Sequence, residues 1–399
     1  MSCFYPADIL LPKNATKEDM EKWAVIACDQ YTSDEEYWED VKEIVGDAPS
    51  SLNIMLPEIY LEKDNTEKIE KINKTMQEYL DNDMFEEYKD AMIYVERQVG
   101  DKVRKGLVGM VDLEQYDYTP GSQTLIRATE ATIIDRLPPR IKIRKNAPLE
   151  MPHILMLFND ANKTIVAPLE ARKDELEVVY DFDLMKDGGH ITGYLLTKEM
   201  QEDVEKALDK FAEENDGLQF AVGDGNHSLA AAKACYEKDK NPLNRYALVE
   251  IENVHNSAQE FESIFRVLFN VDAENFINEF KEYTMQNGMG GMQNFKYYVG
   301  EEEGEFDVKA TAKLPVGTLQ GFIDLYIEEN PEVRVDYIHG QDVVKKLAKK
   351  ENTLGFIYEG IKKDNFFDAI IQDGSLPRKT FSMNEADEKR FYIETRKIK

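Results

Sequence analysis

Cysteine is scarce in this chain, with three residues among 399, at Cys3, Cys28 and Cys235. Thiols so few and so scattered exclude a disulfide framework and a zinc knuckle. Cys28 has no base near it in sequence, so a buried thiol is expected there rather than a nucleophile. The five histidines stand apart from one another and show no metal-ligand spacing. Long apolar runs are missing too: none approaches the ~20 residues that cross a bilayer. Met1 to Asp8 has no basic segment leading into an apolar one, which argues against export. A cytoplasmic protein without a membrane partner is expected. Positive charge is in deficit, 49 Lys and Arg against 78 Asp and Glu, a net charge of -29. Duplex-binding proteins gain affinity by neutralising phosphates, so nucleic acid is excluded as a partner. A small phosphorylated ligand needs only a few cations in one cleft and stays open.

What is present centres on the stretch Leu218 to Lys233. Its start, ending in Ala221-Val222, is apolar and reads as a short buried strand; Ser228 to Tyr236 has the alanine-rich composition of a helix. Between them Gly223 and Gly225 permit a tight turn from which Asp224, Asn226 and His227 project. The first amides of a helix have no intrahelical acceptor and sit at the positive end of its dipole, which suits an anion. Asp224 would then orient His227 or Asn226, bind a metal carried by phosphates, or take a proton. The competing reading is that Asp224 or Asn226 merely caps the helix.

With 42% hydrophobic and 32% charged residues the chain reads as globular, and its length suggests two or three lobes. We divide it into an N-terminal α/β lobe over residues 1–120, a central lobe over 121–285 that holds the turn, and a C-terminal α/β lobe over 286–399. The fold class expected is mixed α/β (α+β) and multi-lobed. Trp23 and Trp38 are expected as core anchors. Thr32 or Ser33 is a candidate helix cap, and Leu52 to Leu56 a strand. Ile69, Ile72, Met76 and Tyr79 give one apolar helical face over residues 65–80. Met92 to Gln98 and Leu107 to Leu113 read as an antiparallel pair, residues 153–168 as a hairpin, and Asp181 to His190 as a polar loop. Lys198 to Glu214 reads as an amphipathic helix. Tyr246 to Ile251 is expected beside Leu218 to Val222, with the intervening helix as crossover. Residues 286–292 read as a flexible excursion, 318–327, 341–349 and 365–372 as helices, 333–338 and 355–358 as strands, and 390–395 as a final strand.

Arg127 to Lys145 holds six basic residues and two acids in an otherwise acidic chain. Arg127, Arg136, Arg140 and Arg144 are therefore candidates to face a phosphate. Arg127 and Glu130 are three apart, side by side if helical. Leu376 to Ser382 is a second basic cluster, with Arg378 and Lys379.

The turn Gly223-Asp224-Gly225-Asn226-His227-Ser228, the Arg127 to Glu130 segment and Leu376-Pro377-Arg378-Lys379-Thr380-Phe381 together resemble the domain of unknown function 1015 family over nearly the whole chain. That family's turn usually reads Asp-Gly-His-His-Arg and is similar to turns of the ParB and sulfiredoxin superfamily, whose members bind nucleotides; free serine kinases carry a related Asp-Gly-His turn. Asp224, Gly225 and His227 match. Asn226 stands where the family has histidine and Ser228 where it has arginine, which removes a bidentate phosphate fork. The resemblance implies a ParB/sulfiredoxin-like strand-turn-helix core that binds a nucleotide, ATP or ADP with Mg²⁺, and a phosphotransferase acting on a small metabolite such as a serine-like hydroxy amino acid. Asp224, His227 and Glu130 are its catalytic candidates, with the base open between Asp224 and Glu130. Gly223, Gly225, Asn226, Ser228, Arg127, Arg140, Arg378 and Lys379 are its phosphate- or nucleotide-binding candidates. A regulator that binds without turnover and a phosphate-ester hydrolase remain alternative readings of the same residues.

Overall fold

Strand pairing, more than chain order, decides which parts belong together. The computed structural model describes residues 1–28, 31, 34–60, 65–119, 121–130, 132, 134, 137–215 and 217–399. Its contacts gather into two compact units: unit 1 is Met1–Ala128, Thr132–Gln259 and Asn384–Lys399, and unit 2 is Thr129–Ala131 and Glu260–Met383. This replaces the division at residues 120 and 285, because strand pairs such as Leu107 with Ile251 cross the first boundary and the last residues return to unit 1. The architecture is mixed α/β. Among the described residues no helix is long and apolar enough to cross a membrane.

Unit 1 begins with β1 (Phe4–Tyr5), β2 (Ala7–Pro12), α1 (Lys17–Trp23), α2 (Glu35–Val45) and α3 (Thr66–Asp81). It continues through β3 (Phe85–Ala91), β4 (Ile93–Val99), β5 (Lys102–Asp112), β6 (Ile126–Ala128), α4 (Leu137–Asn146), β7 (Leu149–Glu150) and β8 (Leu155–Phe158). Then come α5 (Ala167–Ala171), β9 (Glu177–Asp183), β10 (His190–Leu195), α6 (Lys198–Glu214), β11 (Phe220–Asp224), α7 (Asn226–Asp239) and β12 (Tyr246–Asn253). The main sheet runs β6-β11-β8-β12-β5-β4-β10-β9, with β1 also on β5.

Local chemistry explains these elements. Thr16 and Asp19 close a capping box on α1, while Asp34 caps α2 and Thr197 caps α6. The cap expected at Thr32 or Ser33 lies outside the described residues. The α3 stripe Ile69, Ile72, Met76 and Tyr79 is buried, as are Trp23 and Trp38. Along β12 the side chains alternate between two cores: Ala247, Val249 and Ile251 join Phe158, Phe220 and the apolar faces of α6 and α7, while Leu248 joins Val95, Val108 and the N-terminal helices. Both faces of the sheet are thus covered.

Several expectations change. β8 lies between β11 and β12, antiparallel to the first and parallel to the second, so α7 does not connect adjacent parallel strands. Leu155–Phe158 therefore pairs within this sheet instead of forming a hairpin with residues 164–168, which lead into α5. Ser51–Ile54 is a 3₁₀ turn begun by the Ser50 hydroxyl rather than a strand. Residues 181–183 and 190 belong to the β9–β10 hairpin, where Asp183 and Asp181 hold the two nitrogens of His190 at 2.6 and 2.7 Å. The β4–β5 pair forms as expected.

Unit 2 adds β13 (Phe261–Phe269), α8 (Ala273–Asn287), β14 (Met292–Val299), β15 (Glu302–Lys309), α9 (Pro315–Glu329), β16 (Arg334–His339), α10 (Gln341–Ala348), β17 (Thr353–Tyr358), α11 (Lys363–Asp373) and β18 (Phe381–Met383). Its sheet order is β15-β14-β17-β13-β16, with β18 on β13, and Phe276, Phe280, Phe295 and Phe356 fill its core. The excursion expected at 286–292 is a hydrogen-bonded connection, in which the Met289 and Gly290 amides donate to the Ala310 carbonyl.

Residues 384–399 return to unit 1 as a mostly irregular strap. It contains β19 (Arg396–Lys397), which pairs with β7, and single bridges at Tyr392 and Thr395 stand where a strand over 390–395 was expected. Buried arginines fix it. Arg97 donates to the Asp387, Glu388, Lys389 and Gly188 carbonyls, Arg390 to Glu250, Glu394 and the Pro152 carbonyl, and Arg396 to Glu150 and the Leu243 and Tyr246 carbonyls.

Candidate functional site

The end of β11 and the start of α7 form the turn read from the sequence, and residues 223–228 are all partly exposed. The N-cap of α7 is Gly225, at φ +84°. A Cβ there would lie 3.1 Å from the Cα of Ile154. Both the left-handed backbone and the close approach therefore call for glycine. Asp224 and Asn226 are not the cap: Asp224 precedes it, with Oδ1 accepting the Gly225 N–H at 2.8 Å, and Asn226 is already the first residue of the helix. The capping alternative thus fails for both side chains.

Asp224 meets groups that no local motif announces. Lys389, on the strap, places Nζ 3.5 Å from Asp224 Oδ2, with the two side chains 12% and 26% exposed. Burial pushes the Asp224 carboxyl up, but Lys389, His153 and the Gly225 amide outweigh it and hold the group below the usual carboxylate range. His153, just before β8, receives the Tyr392 hydroxyl contact at Nδ1 at 2.6 Å. Arg390 Nη1 donates to the neighbouring Pro152 carbonyl at 2.6 Å, which steadies that segment. Lys389, His153 and Tyr392 were missed in the sequence because each lies far from the turn along the chain.

A cleft of about 810 Å³, its open mouth included, lies beside this constellation. Ser228 and Ala231 of α7, Arg140 and Arg144 of α4, and His153, Tyr392 and Glu150 line it, together with apolar side chains that include Met55, Leu56, Met76, Ile143 and Met151. A mostly apolar wall with a few convergent polar groups is the usual form of a small-molecule site. Ser228 and Arg140, two expected binding residues, are thus brought to one cleft.

The other expected residues divide. Arg127 sits in β6 opposite Ala221, 5% exposed, and its Nε and Nη2 donate to the Thr124 and Gly217 carbonyls. Gly217 precedes β11 and the turn follows it, so this guanidinium is drawn to the end of the strand away from the turn; a phosphate-facing Arg127 is corrected accordingly. Arg127 is in a strand, so helical adjacency to Glu130 does not hold. Glu130, Arg378 and Lys379 belong to unit 2, where Glu130 Oε1 accepts the Lys379 N–H at 3.0 Å and Arg378 Nε donates to the Tyr337 hydroxyl at 2.6 Å. Arg136 lies outside the described residues. Among the described residues no group of three or more His, Cys, Asp and Glu is placed to hold a metal.

Fold and site together define a mixed α/β protein with a glycine-capped strand-turn-helix opening beside an apolar cleft. The chain belongs to the family described as Protein of unknown function (DUF1015), whose model matches residues 10–362. No curated protein matches it. Solved structures that it resembles include a free serine kinase variant in complex with AMP, at 11% identity, covering 72% of this chain and 91% of that one with a TM-score of 0.41. Others are a C-terminally truncated SbnI from Staphylococcus aureus (10% identity, 69% and 82%, TM-score 0.34) and a conserved hypothetical protein from Pyrococcus furiosus (11% identity, 69% and 89%, TM-score 0.34). Likenesses at this level assign neither a ligand nor an activity to this chain.

Proposed function

We propose that this protein is a nucleotide-dependent phosphotransferase acting on a small hydroxylated metabolite, of which a serine-like hydroxy amino acid is the class expected. The observation that carries the reading is the meeting of three features in unit 1: the start of α7, the Asp224–Lys389 pair and the cleft that opens at Ser228. Phosphoryl transfer asks a protein mainly for positioning and charge neutralisation. The first amides of α7, with Asn226, His227 and Ser228, hold the phosphates. Lys389 and Arg140 supply the positive charge that the family's arginine would have given at Ser228.

In the transfer, the bond from the terminal phosphorus to its bridging oxygen breaks and a bond to the substrate hydroxyl oxygen forms, while the hydroxyl proton passes to Asp224. A carboxylate held ionised is ready to accept that proton late in a loose transition state. His153, backed by Tyr392, stands close enough to stabilise the charge on Asp224. Mg²⁺ is commonly held by one or two carboxylates together with substrate phosphates, so it would arrive with the nucleotide and be held by those phosphates, leaving Asp224 to the proton.

The test is to incubate the purified protein with ATP or ADP, Mg²⁺ and L-serine and to follow phosphorus-containing products by NMR. A new phosphoester is expected, with Asp224→Asn and Lys389→Ala reducing its formation at least about 100-fold, the scale for losing a general base or a charge-stabilising group. Nucleotide binding without product would replace the reading with a regulator. Phosphate release without an ester would replace it with a hydrolase.

A further inference from the structure

The cleft at Ser228 has more apolar wall than holding phosphates requires. α4 contributes Arg140, Ile143, Arg144 and Ala147 to it, at a spacing that puts them on one face of the helix. Of these, Arg144 is already spent: Nη1 donates to Glu150 Oε2, and Nε and Nη2 are closed off from solvent. Glu150 is spent as well, because its Oε1 accepts from Arg396 Nε at 2.6 Å and from the Leu248 amide at 3.0 Å. Although both residues line the cleft, this charged pair is turned on itself and its neighbours and does not serve an occupant. His153 and Tyr392 bond to each other, and the phosphates take Ser228 and Arg140. The rest of the wall is mostly hydrocarbon and thioether, with Met55, Leu56, Met76, Ile143 and Met151.

Such a wall sorts ligands. A purine edge carries acceptors and, in adenine, an amino donor, and burying these without partners is costly. A hydrocarbon has no polar group to satisfy. Methionine thioethers adapt to irregular apolar bodies and make favourable contacts with aromatic rings. The side chain of serine, a single hydroxymethyl group, has almost no apolar surface to set against them.

We propose, resting on the phosphotransfer reading, that the acceptor carries its hydroxyl on an apolar body, as a β-hydroxy amino acid with a branched or aromatic side chain does. The hydroxyl lies at Asp224 and the hydrocarbon fills the cleft. Ile143, on the α4 face and partly exposed, then sets specificity by its contact with that hydrocarbon, and the nucleotide base lies elsewhere.

The test follows ester formation by phosphorus NMR from ATP or ADP with Mg²⁺ and, in turn, β-hydroxyleucine, β-phenylserine and L-serine, beside calorimetric titration of the same three compounds and of ADP. One methylene in an apolar pocket is worth about tenfold or more, so kcat/KM for the first two should exceed that for serine by about 100-fold or more. Ile143→Ala removes wall and Ile143→Trp fills the cleft; the position is partly exposed, and melting temperatures check the fold of both. Each variant should narrow the preference over serine by about tenfold or more. The proposal is overturned if serine is phosphorylated as well as the other two, or if both variants keep the wild-type preference. It is also overturned if Ile143→Trp weakens ADP as much as it weakens the acceptors, which would put the base in the cleft. Phosphotransfer itself stands in all three cases. If no acceptor yields an ester, the phosphotransfer reading falls, and titration decides the cleft on its own. Binding of β-hydroxyleucine and β-phenylserine in preference to serine, lost in Ile143→Trp, supports the apolar specificity; absence of that preference overturns it.

Discussion

Lys389 stands on a mostly irregular strap whose regular elements are a 3₁₀ turn at Ala386–Glu388 and the two-residue β19, so something other than a strand ladder must hold it at Asp224. Arg97 does this from β4. It is 3% exposed and makes hydrogen bonds to the carbonyls of Asp387, Glu388 and Lys389, with two more to Gly188. Arg97→Met keeps most of the volume and strips those carbonyls of their donor. Single charge-assisted bonds contribute about 1.5–3 kcal/mol, but they share one guanidinium whose own burial is costly, so the sum overshoots. Removing one partner of a buried charged network costs about 3–5 kcal/mol, and we expect the lower end of that range in urea unfolding. The second effect is on the site. A displacement of ~1 Å at a catalytic group costs ~10²-fold in rate, so transfer should fall far more than stability at a temperature where the variant is folded. A double-mutant cycle decides whether Arg97 acts through Lys389. In that case Arg97→Met lowers turnover in the wild-type background and has little further effect once Lys389→Ala is present. Additive losses would refute the coupling, and an unfolding free energy equal to that of the wild type would refute the clamp itself.

Glu252 is fully buried beside Arg104 and Gln259, and burial, with Glu250 close by, pushes its carboxyl up to about 7 against the attraction of Arg104. The folded state then keeps a proton that the unfolded chain releases at lower pH, so stability falls as pH rises from the unfolded range of a glutamate through neutrality. Glu252→Gln should flatten that slope in urea titrations between pH 5 and 8, and an unchanged slope would assign it to another group. Gly225→Ala places a side chain at φ +84° against Ile154 and should cost about 1–3 kcal/mol together with ligand binding, whereas Gly217→Ala, with nothing within 4 Å of its Cβ, should change neither. The net charge of -29 repels an approaching anion, so association of ADP, followed by stopped flow, should quicken between about 20 and 300 mM salt as screening shortens that field. A slower association would mean that the cleft mouth is positive despite the net charge.

What the sequence made legible was local. The β11 to α7 turn could be read because a short apolar run, two glycines and an alanine-rich stretch follow one another within sixteen residues, and α3 and α6 because their apolar stripes repeat at helical spacing. Sheet order was not legible. Nothing in Leu155–Phe158 says that it enters between β11 and β12, since a fully buried strand has no polar face to betray its neighbours. Lys389, His153 and Tyr392 were hidden for the same reason: the contact between Tyr392 and His153 spans 239 positions, and none of the three sits in a motif. The basic segment Arg127 to Lys145 divides in a more instructive way: Arg140 and Arg144 line the cleft, whereas Arg127 is spent on the Thr124 and Gly217 carbonyls.

Arginine here serves first as a backbone clamp. Arg97, Arg127, Arg390 and Arg396 in unit 1 and Arg266 in unit 2 are all buried, and each donates to backbone carbonyls. Most of those carbonyls lie outside the strands, as in the strap in unit 1 and the Arg378–Lys379 bend in unit 2, although Tyr246 and Ile264 belong to β12 and β13. A guanidinium has five donors in a fixed plane and can satisfy several such groups at once, which a lysine cannot. Burial of so many cations would be prohibitive alone, and the surrounding Glu150, Glu250 and Glu394 make it tolerable. Buried arginine in this protein therefore marks first where loops are fastened, and a basic cluster in its sequence does not by itself mark a ligand.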